Sequence, residues 1–125
     1  MEIVLNDDDG EHPIPNELRP VFDKVAAAFA EGDYRLQCAE IPEVLPLELE
    51  LAKFIESSVA AYGEELSPLH ARVWERSCYS WHSNGCWSAI VDLTTKAEVV
   101  SDLAIHAKLR LDPEIRVEIW SVHVP

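Results

Sequence analysis

The sequence predicts an α+β fold: two N-terminal helices packed on one face of a four-stranded antiparallel meander, in the order ααββββ. Three observations carry that prediction. Apolar residues recur at helical spacing in two stretches of the first half. After Ser67-Pro68 the period drops to two, and β-branched and aromatic residues become more frequent. Asn84-Gly85, flanked by such residues, is a strong hairpin signal, because both central residues of a type I′ turn need φ > 0.

Residues 1–16 read as an irregular acidic leader with Asp7, Asp8, Asp9, Pro13 and Pro15, apart from a short strand over Ile3 to Leu5. The acidic cluster lacks the alternating positions, glycine and closing glutamate of a calcium loop. From Leu18 to Glu31, Leu18, Val21, Phe22, Val25, Ala26 and Phe29 form one stripe, with Pro20 suited to the first turn and Gly32 to the stop. Asp33 to Ala39 fits either a short strand or a connector. Pro42 and Pro46 precede a second helix that places Leu47, Leu51, Phe54, Ile55, Val59 and Tyr62 on one side. Glu48, Glu50, Lys53, Glu56 and Ser57 lie on the other, and Gly63 ends it.

Four strands are predicted over residues 72–82, 86–94, 102–111 and 115–124. A two-residue Asn84-Gly85 loop puts Cys78 opposite Val91, Ser80 opposite Ala89 and His82 opposite Trp87. Matching the apolar sets puts Val91 beside Ile105 and Leu93 beside Leu103. The Asp112-Pro113-Glu114 turn puts Leu109 opposite Val117 and Lys108 opposite Glu118, a cross-strand ion pair. One face then carries Cys78, Trp87, Ala89, Val91, Ile105, Leu109, Val117 and Ile119 for the helices to cover. The other is polar except for a row across all four strands: Tyr79, Ile90, His106 and Trp120, with Trp81 beside it. A one-residue slip would turn any strand over.

The pattern Trp87-x3-Val91-Asp92-Leu93-Thr94-Thr95-x2-Glu98-x2-Ser101-Asp102-Leu103 runs through the middle of this region. With Phe29-x-Glu31-Gly32-Asp33-Tyr34, Tyr62-Gly63 and the closing Val122-His123-Val124-Pro125, it resembles a family of small bacterial domains of unknown function. The resemblance runs from about residue 18 onward. It implies a complete standalone domain and lends no activity.

At 125 residues, 48% of them hydrophobic, the chain is long enough for a single domain with its own core, 1–125. It lacks an apolar run long enough to span a bilayer and lacks a signal peptide, so a cytoplasmic protein without membrane association is expected. Three irregularly spaced cysteines make no disulfide framework. The net charge of −13 is uneven: residues 1–66 carry 16 acidic and 4 basic side chains, and the remainder 7 and 6. Such a field repels nucleic acid and steers basic partners.

Cys78-x3-His82-x3-Cys86 with His70 has the donor chemistry of zinc, but the register puts the two thiols on opposite faces, so no metal or other cofactor is assigned. A hydrolytic site would combine His106 or His82 with Asp92, Asp102 and Ser77 or Ser101. No nucleophile elbow or glycine-rich anion loop accompanies them, and with 4 glycines phosphate-cradling capacity is small. Asp92 and Asp102 are better read as structural carboxylates holding the connection between the central strands.

The expected function is therefore a non-enzymatic acidic binding protein, of immunity or other antagonist type, that engages a basic protein partner or a second copy of itself. Its binding residues would be Tyr79, Trp81, Ile90, Asp92, His106 and Trp120 on the aromatic sheet face. The alternative is a small-molecule-binding or hydrolytic enzyme with a cystatin-like or nuclear-transport-factor-2-like cone pocket near Tyr79, Asp92 and His106, an analogy of fold alone.

Overall fold

A computed structural model describes residues 3–83, 85–111 and 113–125. Within them α1 spans Arg19–Ala30 and α2 Leu49–Tyr62. A five-stranded antiparallel sheet is ordered β1 (His12–Pro13), β3 (Cys78–Ser83), β4 (Cys86–Asp92), β6 (Ala104–Arg110), β7 (Arg116–His123). A second, two-stranded sheet pairs β2 (Leu66–Ser67) with β5 (Thr94–Thr95). The α+β class and the two helices agree with expectation, while the strand count and order differ.

Helix α1 follows its apolar stripe: Val21, Phe22, Val25, Ala26 and Phe29 are buried, and Pro20 sits in the first turn where no N–H is missed. Gly32, at φ +88°, turns the chain out of the helix, as Gly63 at φ +88° does after α2. Helix α2 keeps the predicted stripe at Leu47, Leu51, Ile55, Val59 and Tyr62 but not at Phe54. It buries Ala52, Ile55 and Val59 and leaves Phe54 52% exposed. The Asp33 to Ala39 stretch is a series of turns in which the Asp33 carboxylate accepts the Gln37 and Cys38 N–H groups. The chain then lays Val44 beside Val117 on the outer edge of β7, and the Val117 N–H donates to the Glu43 carbonyl.

From residue 3 the leader is largely irregular, but its short strand lies at His12–Pro13 rather than over Ile3 to Leu5, and it packs into the core. β1 pairs with β3, and Leu5 and Ile14 are core residues. The Trp87 Nε1–H donates to the Asn6 carbonyl at 2.8 Å, and the Asn6 N–H donates to the Tyr79 hydroxyl at 2.9 Å. Asp8 receives the Gly10 N–H and a 2.7 Å hydrogen bond from His12, and the His12 contact is the main reason its carboxyl sits below its usual range.

The first predicted strand begins later than expected. Residues Ala71–Glu75 form a 3-10 turn, because His70 Nδ1 accepts the Arg72 N–H and the Ser77 hydroxyl donates to the Val73 carbonyl at 2.6 Å. These local bonds compete with a ladder.

The central β4–β6 register is the one the apolar pattern predicts, with Val91 opposite Ile105 and Leu93 bonded to Leu103. The two hairpins depart from expectation in the same way. In the first, Ser83 faces Cys86, as a two-residue loop requires, although Asn84 of that turn lies outside the described residues. One bulge then intervenes at His82, so Trp81 faces Trp87 and Tyr79 faces Ala89. In the second, whose predicted turn includes Asp112, also outside the described residues, Leu109 faces Val117 as predicted. A bulge at Trp120 then places Ser121 opposite His106 and His123 opposite Ala104. Lys108 does face Glu118, but the carboxylate pairs diagonally with Arg110 at 3.7 Å.

The first bulge turns β3 over. Tyr79, 3% exposed, joins the helix-covered face with Trp87, Ala89, Val91, Ile105 and Leu109, and Cys78 moves to the opposite face. The core joins that face to Leu18, Phe22, Phe29, Ile55 and the leader's Ile14. Fully burying each such side chain contributes about 1.5–3 kcal/mol.

Candidate functional site

The uncovered face of the sheet has its centre on β6. His106 projects there between Ile90 of β4 and Ser121 of β7. It is 7% exposed because the side chains around it form a lid: His123 stacks on it with ring centroids 3.8 Å apart and planes 5° from parallel, and Trp120 meets it edge-on at 5.6 Å. The β7 bulge makes this arrangement. Two successive residues, Trp120 and Ser121, oppose one residue of β6, so the indole is re-aimed over His106 and left 47% exposed. The Ser121 hydroxyl lies 2.6 Å from His123 Nδ1, with Ser121 only 4% exposed.

At the adjacent corner Arg76 Nε donates to the Asp92 carboxylate at 3.0 Å, and Arg76 Nη2 reaches the Ser101 carbonyl. Burial pushes the Asp92 carboxyl up, and the Arg76 guanidinium pulls it partly back. Cys78, beside this corner, has its thiol pushed up to about 11 by burial and by its hydrogen bond to Glu11, so it stays a protonated, unreactive thiol at neutral pH.

Of the residues expected to form one row, the structure brings Ile90, Asp92, His106 and Trp120 to this face. It takes away Tyr79, which lies in the core beneath the leader, and Trp81, which shares the core-side parity at the sheet's end. A cone pocket combining Tyr79 with Asp92 and His106 is ruled out, since the sheet itself separates them. The serines considered as nucleophiles are engaged in the fold: Ser77 bridges the Val73 carbonyl and the Asp92 N–H, and Ser101 bridges the Leu93 carbonyl and the Leu103 N–H. The connection from 93 to 103 is held by hydroxyls, with Thr94 donating to the Val99 carbonyl and Tyr62 receiving the Asp102 N–H. The carboxylates expected to do this do not: Asp92 turns to Arg76.

Cys78 and Cys86 share a face after the slip but sit four positions apart along β4, since Cys78 pairs with Ile90. Among the described residues no group of three or more His, Cys, Asp or Glu side chains is placed to hold a metal ion. Sequence reasoning missed Arg76, Ser121 and His123. The alternation of residues along β7 puts His123 and His106 on one face only once the extra residue at Trp120 is counted, and no local sequence signal marks that bulge.

His106 Nε2 is buried and has no hydrogen-bond partner among the described residues. Desolvation, followed by the neighbouring His123, lowers the His106 pKa below its ordinary value, while a backbone hydrogen bond at His123 acts in the opposite direction. A histidine whose folded pKa is depressed is neutral in the native state while the unfolded chain already binds a proton. Its contribution is therefore fully present above the unfolded pKa of about 6.5 and is lost as pH falls through the folded value. We expect urea midpoints to fall between about pH 7.5 and about pH 5.5, and His106→Asn to flatten that slope relative to wild type. An equal slope in both proteins refutes the assignment to His106.

Among the described residues no helix is long and apolar enough to cross a membrane. A family model described as a domain of unknown function matches residues 26–125. No curated protein and no solved structure matches the chain.

Proposed function

The chain belongs to that family, DUF7668, and from this premise we propose that it is a non-enzymatic acidic binding protein, of immunity or antagonist type, that engages a basic protein partner in the cytoplasm. The observation that carries this reading is the coincidence of charge and exposed apolar surface on α2 and the segment before it. Leu45, Leu49 and Phe54 are exposed there among Glu43, Glu48, Glu50 and Glu56. Apolar anchors within a charged rim are the composition of an interface core. Acidic surroundings steer a basic partner towards it.

Acidic steering and the Trp120 surface fall on opposite sides of the sheet. The uncovered face holds Arg76, Lys108, Arg110 and Arg116 against Asp92 and Glu118, so its local balance is not acidic. In this proposal the basic partner meets the helical side, and the Trp120–His106 surface is a separate contact.

The test immobilises the full chain and offers host lysate at low and high salt. Basic proteins are retained at low salt and released at high salt, and Phe54→Ala weakens retention about tenfold or more. Recovery of no basic protein, or binding indifferent to salt and to both Phe54→Ala and Trp120→Ala, overturns the reading. A small-molecule or hydrolytic role draws on one observation, the orphaned His106 Nε2 under Trp120. Thermal stabilisation by a metabolite that His106→Asn abolishes would favour that role.

A further inference from the structure

The first turn of α2 and the edge strand β7 do not close on each other. Between them runs a groove of about 480 Å³ whose apolar lining includes Leu47, Leu51, Val117 and Ile119, with the exposed Leu45 at its rim. That volume lies within the usual range for a site that takes a compact apolar group.

The charges around it are unequal in their commitments. Arg110 is engaged by Glu118 at 3.7 Å and Arg116 by Glu114 at 3.9 Å, both exposed pairs at the end of the β6–β7 hairpin. Among the described residues Glu43, Glu48 and Glu50, on the opposite wall, form no ion pair with Lys or Arg. The groove therefore offers an apolar floor and a rim of uncompensated carboxylates. Two of these, Glu48 and Glu50, stand at the N-terminus of α2.

We propose that this groove is the docking site of the basic partner: it receives one large apolar side chain of a partner segment, with the segment's flanking Lys or Arg side chains against Glu43, Glu48 and Glu50. The inference rests on the acidic-binding reading above and names where the contact is made. Charge complementarity selects the occupant. An acidic or neutral apolar segment would leave three carboxylates facing it without compensation, and a second copy of this acidic chain would add like charge.

The test uses three synthetic peptides against the full ¹⁵N-labelled chain: one with a single Leu flanked on both sides by Lys, one with the Leu replaced by Ala, and one with every Lys replaced by Asp. The Leu–Lys peptide is expected to shift the amide signals of Leu47, Leu51, Val117 and Ile119. The Ala and Asp peptides should bind about tenfold more weakly or not at all, and Glu48→Lys/Glu50→Lys should lose binding to a similar degree. Both substitutions are at exposed positions, and the amide spectrum of the double variant reports that it is folded. If the Lys peptides bind but perturb residues elsewhere on the acidic surface, and the double variant leaves that binding unchanged, the groove assignment is overturned while the basic-partner reading stands. If the Asp peptide binds as well as the Lys peptide, or if none binds at low salt, both fall.

Discussion

Replacing Ile14 by alanine is expected to cost about 2–4 kcal/mol of stability, the range for truncating a fully buried aliphatic side chain. Val4→Ala, in the same leader, should change stability by no more than about 0.5 kcal/mol. The contrast follows from placement: Ile14 is 1% exposed within the core cluster, whereas Val4 stands in solvent. Ile14 is also held from both sides, because β1 just before it pairs with β3 and its carbonyl accepts Arg19 Nε at 3.0 Å. Cavity formation is therefore not relieved by an easy collapse of the strand. Denaturant unfolding of the two variants measures the difference, and equal midpoints would mean that the leader is not packed as described. Trp87 fluorescence offers a second readout, since its indole N–H is bonded to the leader through the Asn6 carbonyl.

The second large effect is expected at Ser101, and it separates a staple from a nucleophile. The hydroxyl is completely buried, donates to the Leu93 carbonyl at 2.7 Å and accepts the Leu103 N–H at 3.2 Å. Ser101→Ala leaves the Leu103 N–H without this buried partner, while the Leu93 carbonyl keeps the Ser101 N–H, at a cost of about 1–3 kcal/mol. Ser101→Thr keeps the hydroxyl but adds a methyl where no space is exposed, so it should lose stability through overpacking instead. In both variants binding by the α2 groove is expected to survive wherever the protein is still folded. Preserved stability in Ser101→Ala would show that the hydroxyl is not holding the 93–103 connection.

The helices were legible because their signals are local. The α1 stripe, the tolerance of Pro20 in the first turn and the glycines at 32 and 63 each depend on a few neighbouring residues, and each is found where expected. The β4–β6 pairing was legible because both strands carry continuous apolar sets that match in one register only. Helix α2 was legible except at Phe54. Phe54 and Ala52 flank the same stripe, and it is Ala52 that faces inward.

The candidate site was legible in part. Ile90, Asp92, His106 and Trp120 share the uncovered face as expected, but Tyr79 and Trp81 do not, and Arg76, Ser121 and His123 arrive from outside the predicted row. Each departure traces to one of the two bulges or to the turn at Ala71–Glu75. The turn rule for the first hairpin correctly pairs Ser83 with Cys86. A single extra residue at His82 then inverts everything before it.

By itself the sequence determined the class, the two helices with their ends, the central strand register and the excess of negative charge in the first half. All of these follow from periodicity, turn residues and composition, which act over a few residues at a time. Tertiary structure decided which way β3 faces, whether the leader belongs to the core, and which histidine lies against His106. A bulge is selected by what its flanking residues gain on either side of the sheet. At β3 that gain is the burial of Tyr79 beneath the leader, where Asn6 donates its N–H to the tyrosine hydroxyl and accepts the Trp87 indole N–H at its carbonyl. Those contacts join positions more than seventy residues apart in the chain, so no window of neighbouring residues contains them.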